Sequence, residues 1–227
     1  MIVDAYFRRR YAILFYALLL TIAAAPLLDA LGYEADLLEL SLAISLLAAV
    51  LPVGNTAGRR ALFAILAVAF LLRLDAARFA SPTLASAGLV IWTLVALLAV
   101  ILSLRFALRA PVVDSEHLYA ALSAYLLAGN FFGLSYWVLE QTWAGSLAGP
   151  GGADPDVSLA GAIYFSFVTL ATLGYGDVVP RSLPARGLAI VEAVAGQLYL
   201  AVMVARLVSL YVRETPRDRG QGRSTPE

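Results

Sequence analysis

Residues 158–177 read Ser-Leu-Ala-Gly-Ala-Ile-Tyr-Phe-Ser-Phe-Val-Thr-Leu-Ala-Thr-Leu-Gly-Tyr-Gly-Asp, a short apolar stretch running into the glycine-alternating hexapeptide Thr172-Leu173-Gly174-Tyr175-Gly176-Asp177. Residues 159–171 are too few to cross a bilayer, which takes about 20 apolar residues at about 1.5 Å of rise each. They predict a short helix with Ser158 as its N-cap and Asp156 nearby, a hydroxyl accepting one of the orphan backbone N–H groups of the first turn. Full-length apolar runs flank the segment at residues 118–139 and 187–212. Alone, Gly-Tyr-Gly reads as a plain turn. Preceded by a half-length helix and bracketed by two spans, the hexapeptide reads instead as part of a re-entrant loop. Irregular backbone at membrane depth is tolerated where protein buries it or water lines it.

Further apolar runs fall at residues 11–28, 37–53, 61–72 and 84–104. The chain of 227 residues is 61% hydrophobic and 14% charged, against roughly 25% charge in a soluble domain. The pattern predicts an all-α membrane protein with six transmembrane helices and one re-entrant helix. The run 61–72, confined between Arg60 and Arg73, is short for a span; a snorkelling Arg73 and an extension through residues 76–80 lengthen it. Parity follows from the basic residues. With six spans and both termini cytoplasmic, Arg8, Arg9, Arg10, Arg59, Arg60, Arg105, Arg109, Arg206, Arg213, Arg217, Arg219 and Arg223 lie inside, while Arg73, Arg78, Arg181 and Arg186 lie outside. Removing the third span would carry the triple-Arg amino terminus outside, against the positive-inside rule. The first run follows Arg8–Arg10 without a small-residue cleavage pattern before Leu27 and Leu28, so it is expected to be a retained span rather than a signal peptide.

Every basic residue is Arg and Lys is absent, a composition expected of a GC-rich genome; the expected location is a bacterial inner membrane. Absence of cysteine excludes disulfides and thiolate metal sites, and a net charge of zero offers nothing to a nucleic acid.

From about residue 115 to 213 the chain resembles the pore of the potassium channel family: outer helix, pore helix, filter and inner helix. The likeness is much weaker over the first four spans. It implies that the backbone carbonyls of Thr172, Leu173, Gly174 and Tyr175 coordinate K⁺, with Gly176 completing the selectivity filter and Asp177 closing it. A potassium ion entering a narrow pore must exchange hydration water for protein oxygen, and rings of carbonyls supply it. Successive carbonyls all face the axis only if some residues accept positive φ, which Gly174 and Gly176 do without steric cost. One chain contributes one strand of the filter, so the partners are three further copies in a homotetramer, the lipid bilayer and K⁺ as permeant ion. No cofactor and no catalytic residue is implied. The resemblance marks off a pore unit at 114–213 after a four-span region at 1–113, while composition predicts a disordered cytoplasmic tail at 214–227, rich in Arg, Pro, Gly and Ser, and an extracellular loop at 144–156, rich in Gly, Pro and Asp.

Leu173 departs from the usual Val or Ile and Ala171 from a frequent second threonine, changes that bear on inactivation and on binding below the filter more than on selectivity. Tyr164 stands where family members commonly carry a tryptophan bonded to the closing aspartate; its hydroxyl suits that role, and a packing aromatic is the alternative. Gly196, midway along the last span, matches the gating hinge, although glycine also serves close helix packing. Glu192 is an intramembrane acid facing either the back of the filter or the cavity, or snorkelling to the surface. Rival readings are a nonselective cation channel, the ion-translocating subunit of a potassium transporter, and a non-conducting scaffold. Tyr175, the two glycines of one loop, and the hexapeptide itself argue against them in turn.

His117, beside Asp114 and Glu116, is open to a pH-sensing role or to none beyond the interface. The acids Asp29, Glu34, Asp36, Glu140, Asp154 and Asp156 fall outside, as cation concentrators or plain loop charges. No basic residue lies between residues 84 and 104, so the fourth span lacks a voltage sensor's arginine ladder. Open probability is therefore expected to be nearly independent of voltage in single-channel recordings; a steep conductance-voltage curve would overturn this.

Overall fold

In hydrocarbon every backbone N–H must find a partner within its own segment, so continuous apolar runs become helices. The computed structural model describes residues 9–30, 44, 56–79, 82–109, 115–149 and 157–214. Its elements are α1 (Arg10–Ala30), α2 (Thr56–Phe79), α3 (Pro82–Arg109), α4 (Ser115–Thr142), β1 (Leu147–Ala148), α5 (Leu159–Leu170), β2 (Val179–Pro180) and α6 (Leu183–Glu214). Pro82 opens α3 at a position where its missing N–H has no helical partner to lose. Ser182 caps α6, its Oγ accepting the N–H of Ala185 at 3.3 Å.

Among the described residues three helices are long and apolar enough to cross a membrane, over Ser86–Leu108, Ser115–Thr142 and Leu183–Arg206; shorter apolar helices cover Arg10–Ala24, Arg60–Leu71 and Leu159–Leu170. The run 37–53, residue 44 apart, and the tail after Glu214 lie outside the described residues. The third run belongs to a helix longer than itself: α2 has 24 residues, about 36 Å at about 1.5 Å per residue.

Helix α4 is the hub. It packs against α1, α3, α5 and α6, while α2 packs chiefly against α3. One buried cluster joins Leu14 and Leu18 of α1, Leu66 of α2, Trp92 and Ala96 of α3, Leu127 and Leu134 of α4, and Ile163 of α5. Lipid tails are as apolar as leucine, so the association of these helices rests on close packing and hydrogen bonds. Two glycines of α4 allow that closeness. A Cβ on Gly129 would lie 2.5 Å from the Phe167 ring, and one on Gly133 would lie 2.8 Å from the Cα of Ile163. Across this seam the Ser166 hydroxyl donates to the Gly129 carbonyl at 2.7 Å.

A second cluster, including Phe132, Tyr136, Leu147, Phe165 and Ala185, fills the end nearest the loop. There the helical architecture gains a minimal antiparallel ladder, Leu147 opposite Pro180 and Ala148 opposite Val179. Two-residue strands carry no alternation that a sequence reading detects, which is why an all-helical chain was the expectation. Glu140 staples the loop. Its carboxylate accepts the N–H of Gly145 at 2.7 Å and of Leu147 at 3.0 Å, and Gly145 turns the chain with φ of 77°.

At the other end, Glu116 accepts the Tyr11 N–H at 3.1 Å, Arg10 lies 5.3 Å from the Phe106 ring centroid, His117 stacks on that ring at 4.6 Å, and Arg206 donates to the Ala107 carbonyl. The start of α1, the end of α3, the start of α4 and the far half of α6 thus meet together, away from the loop.

Gly133→Ala is expected to lower protein stability by about 1–3 kcal/mol, because the obstruction is a backbone atom that cannot rotate away. Gly161→Ala, whose Cβ meets nothing nearer than 3.5 Å, is the control. Thermal unfolding in detergent checks this, and equal midpoints for the two variants would contradict it.

Candidate functional site

Ser158, extended at φ −67° and ψ 163°, caps α5 by accepting the Gly161 N–H at 3.1 Å. At the other end Ala171 still bonds back to Phe167 O at 3.0 Å, after which the helix unwinds. Thr172 N donates to Thr169 O at 2.9 Å and Leu173 N to Val168 O at 2.9 Å, with Gly174 N 3.5 Å from the same oxygen. The last carbonyls of α5, orphans in a free helix, are occupied by the first amides of the hexapeptide. Its position and direction are therefore inherited from α5.

Thr172, Gly174 and Gly176 have φ of 57°, 59° and 78°, while Leu173 and Tyr175 between them keep negative φ. A backbone that alternates hand in this way turns successive peptide groups toward one side, which a pleated strand does not do. At Gly174 and Gly176 a Cβ would meet nothing within 4 Å in a single chain, so the demand for glycine there is conformational. Thr172 is the surprise. Left-handed backbone costs a non-glycine residue about 1–2 kcal/mol, and nothing in a β-branched residue type announces it. Strain of this kind gathers at functional sites. Leu173 and Tyr175, both large, remain 55% and 66% exposed on one chain.

Behind the hexapeptide, the Tyr164 hydroxyl donates to Asp177 Oδ2 at 2.6 Å, and Asp177 Oδ1 accepts the Val178 N–H at 3.0 Å. The phenol's hydrogen bond holds the Asp177 carboxyl below its ordinary range. The remaining candidates lie on α6. Gly196 is buried where a Cβ would come within 2.6 Å of the Leu170 carbonyl oxygen, so glycine admits the end of α5 here, and α6 runs unbroken through it. Glu192 is fully buried behind α5, meeting Tyr136 and Ser166. Sequence reasoning missed Gln197, whose Nε2 donates to Thr172 Oγ1 at 3.4 Å from directly beside Gly196. An amide within an apolar span was the available signal.

A strained, hand-alternating loop thus follows a short helix between two helices long and apolar enough to cross a membrane. Residues 121–213 match the model of a family described as ion channel. A stretch of 88 residues, 38% of this chain, is 32% identical to two pore potassium channel c of Oryza sativa subsp. japonica and spans 19% of that protein. No solved structure matches. These matches make residues 121–213 similar to ion channels, one of them a potassium channel, and the chain spans about a fifth of the length of that relative.

Tyr164→Phe removes the hydroxyl that lowers the Asp177 carboxyl's affinity for a proton. Since that group is depressed, the bond's contribution is complete above the ordinary carboxylate range and fades as pH falls through the lowered value. In the variant Asp177 is expected to titrate at higher pH by NMR, with faster inactivation at neutral pH. If both stay as in the wild type, the bond has no such role.

Proposed function

We propose that this chain is one subunit of a homotetrameric channel that conducts K⁺ selectively and passively across a cell membrane. The observation carrying the reading is the alternation of hand at Thr172, Gly174 and Gly176. It turns peptide oxygens to one side of the strand, as replacement of a hydration shell requires. Four copies around an axis would close that side into rings from Thr172, Leu173, Gly174 and Tyr175, with Thr172 innermost and Gly176 completing the filter. Fourfold assembly is further supported by what a single chain leaves open. Leu173 and Tyr175 have no cover, and α6 presents Ile190, Val191, Val194 and Leu198 at 54–66% exposure.

In this reading residues 114–213 form the pore unit, and residues 1–113 a four-span region that brings the total to six. Both termini lie on the cytoplasmic side, the polypeptide being in a bacterial-type inner membrane. The gathering of Arg10 and Arg206 at the end remote from the loop agrees with the positive-inside rule. Asp177 and Tyr164 support the filter from behind, and Gly196 is where α6 would bend on opening.

The test is the reversal potential of purified protein in a planar bilayer under opposed K⁺ and Na⁺ gradients, with Gly174→Ala as control. The expected result is a reversal that follows K⁺ and a current lost in the variant, whose Cβ disfavours the required hand by about 1–2 kcal/mol in every subunit. Equal Na⁺ permeation would move the reading to a nonselective pore, and a Gly174→Ala current unchanged from wild type would remove the filter reading.

A further inference from the structure

Glu192 is fully buried within the apolar helix α6. Its Oε2 lies 2.7 Å from the Tyr136 hydroxyl of α4, and its Oε1 lies 2.5 Å from Ser166 Oγ of α5. The same Ser166 Oγ lies 2.7 Å from the carbonyl oxygen of Gly129, on α4. Among the described residues the carboxyl meets these two hydroxyls and no cation.

A proton count decides what the arrangement is. Three oxygen-to-oxygen contacts in series, Tyr136 to Glu192, Glu192 to Ser166 and Ser166 to Gly129, need three protons. The Gly129 carbonyl supplies none and each hydroxyl supplies one. The third can come only from the carboxyl. A carboxylate would leave one contact as two facing lone-pair oxygens, in a buried setting where an unmade hydrogen bond is costly.

We propose that Glu192 is a carboxylic acid whose proton is donated to Ser166, and that it is a positioning residue, bolting the pore helix α5 to α6 and α4 at once. The polarity of the chain is then set. Glu192 Oε1–H donates to Ser166, Ser166 donates to the Gly129 carbonyl, and Tyr136 donates to Oε2. Glu192 touches neither the permeating ion nor the filter backbone. It acts through α5, whose last carbonyls hold Thr172 and Leu173. The functional half of this inference rests on the pore reading above.

Glutamine reproduces the count: its carbonyl accepts from Tyr136 and its amide donates to Ser166. Glu192→Gln is therefore expected to keep K⁺ selectivity and flux near wild-type values. Glu192→Ala removes both bonds and is expected to cut flux per folded tetramer by about tenfold or more. The wild-type-minus-Gln infrared difference spectrum at neutral pH should carry the C=O stretch of a protonated carboxylic acid. That band needs no conduction and no alanine variant, so it judges the proton even if the potassium reading fails or Glu192→Ala does not fold. A carboxylate pair of bands in its place would overturn the proposal. So would a glutamine variant with selectivity or flux as damaged as that of alanine or of Ser166→Ala, or an alanine variant indistinguishable from wild type.

Discussion

The approach of α5 to α4 is the contact on which the rest of the site depends. At Gly133 the two helices are so close that a single methyl group would collide with the backbone of Ile163, and one turn earlier Gly129 leaves room only for the Phe167 ring. Between these points Ser166 spends its proton on the Gly129 carbonyl. Where lipid removes the usual hydrophobic drive between helices, such closeness and such bonds are what association consists of. A half-length helix cannot hold itself at membrane depth, and here it is wedged against a full span.

From that anchorage the hexapeptide acquires its shape. Its first amides close onto the end of α5, so three residues are held at left-handed φ, two of them glycines that accept it and one a threonine that resists it. The exit is tied separately. Asp177 is bonded to Tyr164 on one side and to its own next amide on the other, and the ladder of β1 with β2 closes the loop before α5 onto the chain after the hexapeptide. Strain at the centre is therefore bounded by hydrogen bonds at both ends.

Helices α1 and α3 are joined to α4 and α6 by specific polar contacts as well as by packing. Ser123 of α4 lies 3.4 Å from the Tyr11 carbonyl of α1, and Arg206 of α6 donates to the Ala107 carbonyl at the end of α3. The last of these links the far half of α6 directly to the region before residue 114. Movement of α6 would have to break or carry that bond.

Period, length and residue type made the helices and the N-cap at Ser158 legible, because a hydrophobic run of a given length has few solutions in lipid. Tyr164 and Asp177 were legible as a pair only through resemblance, being 13 residues apart with no local pattern joining them. Tertiary structure alone decided where Glu192 points, since an acid on a helix has no preferred neighbour until other helices pack around it. It likewise decided that Gly196 lies against Leu170 O, that Glu140 is a staple, and that Gln197 reaches Thr172. The left-handed φ of Thr172 belongs to the same group. A β-branched residue resists that backbone, so only the fixed ends supplied by the surrounding fold impose it.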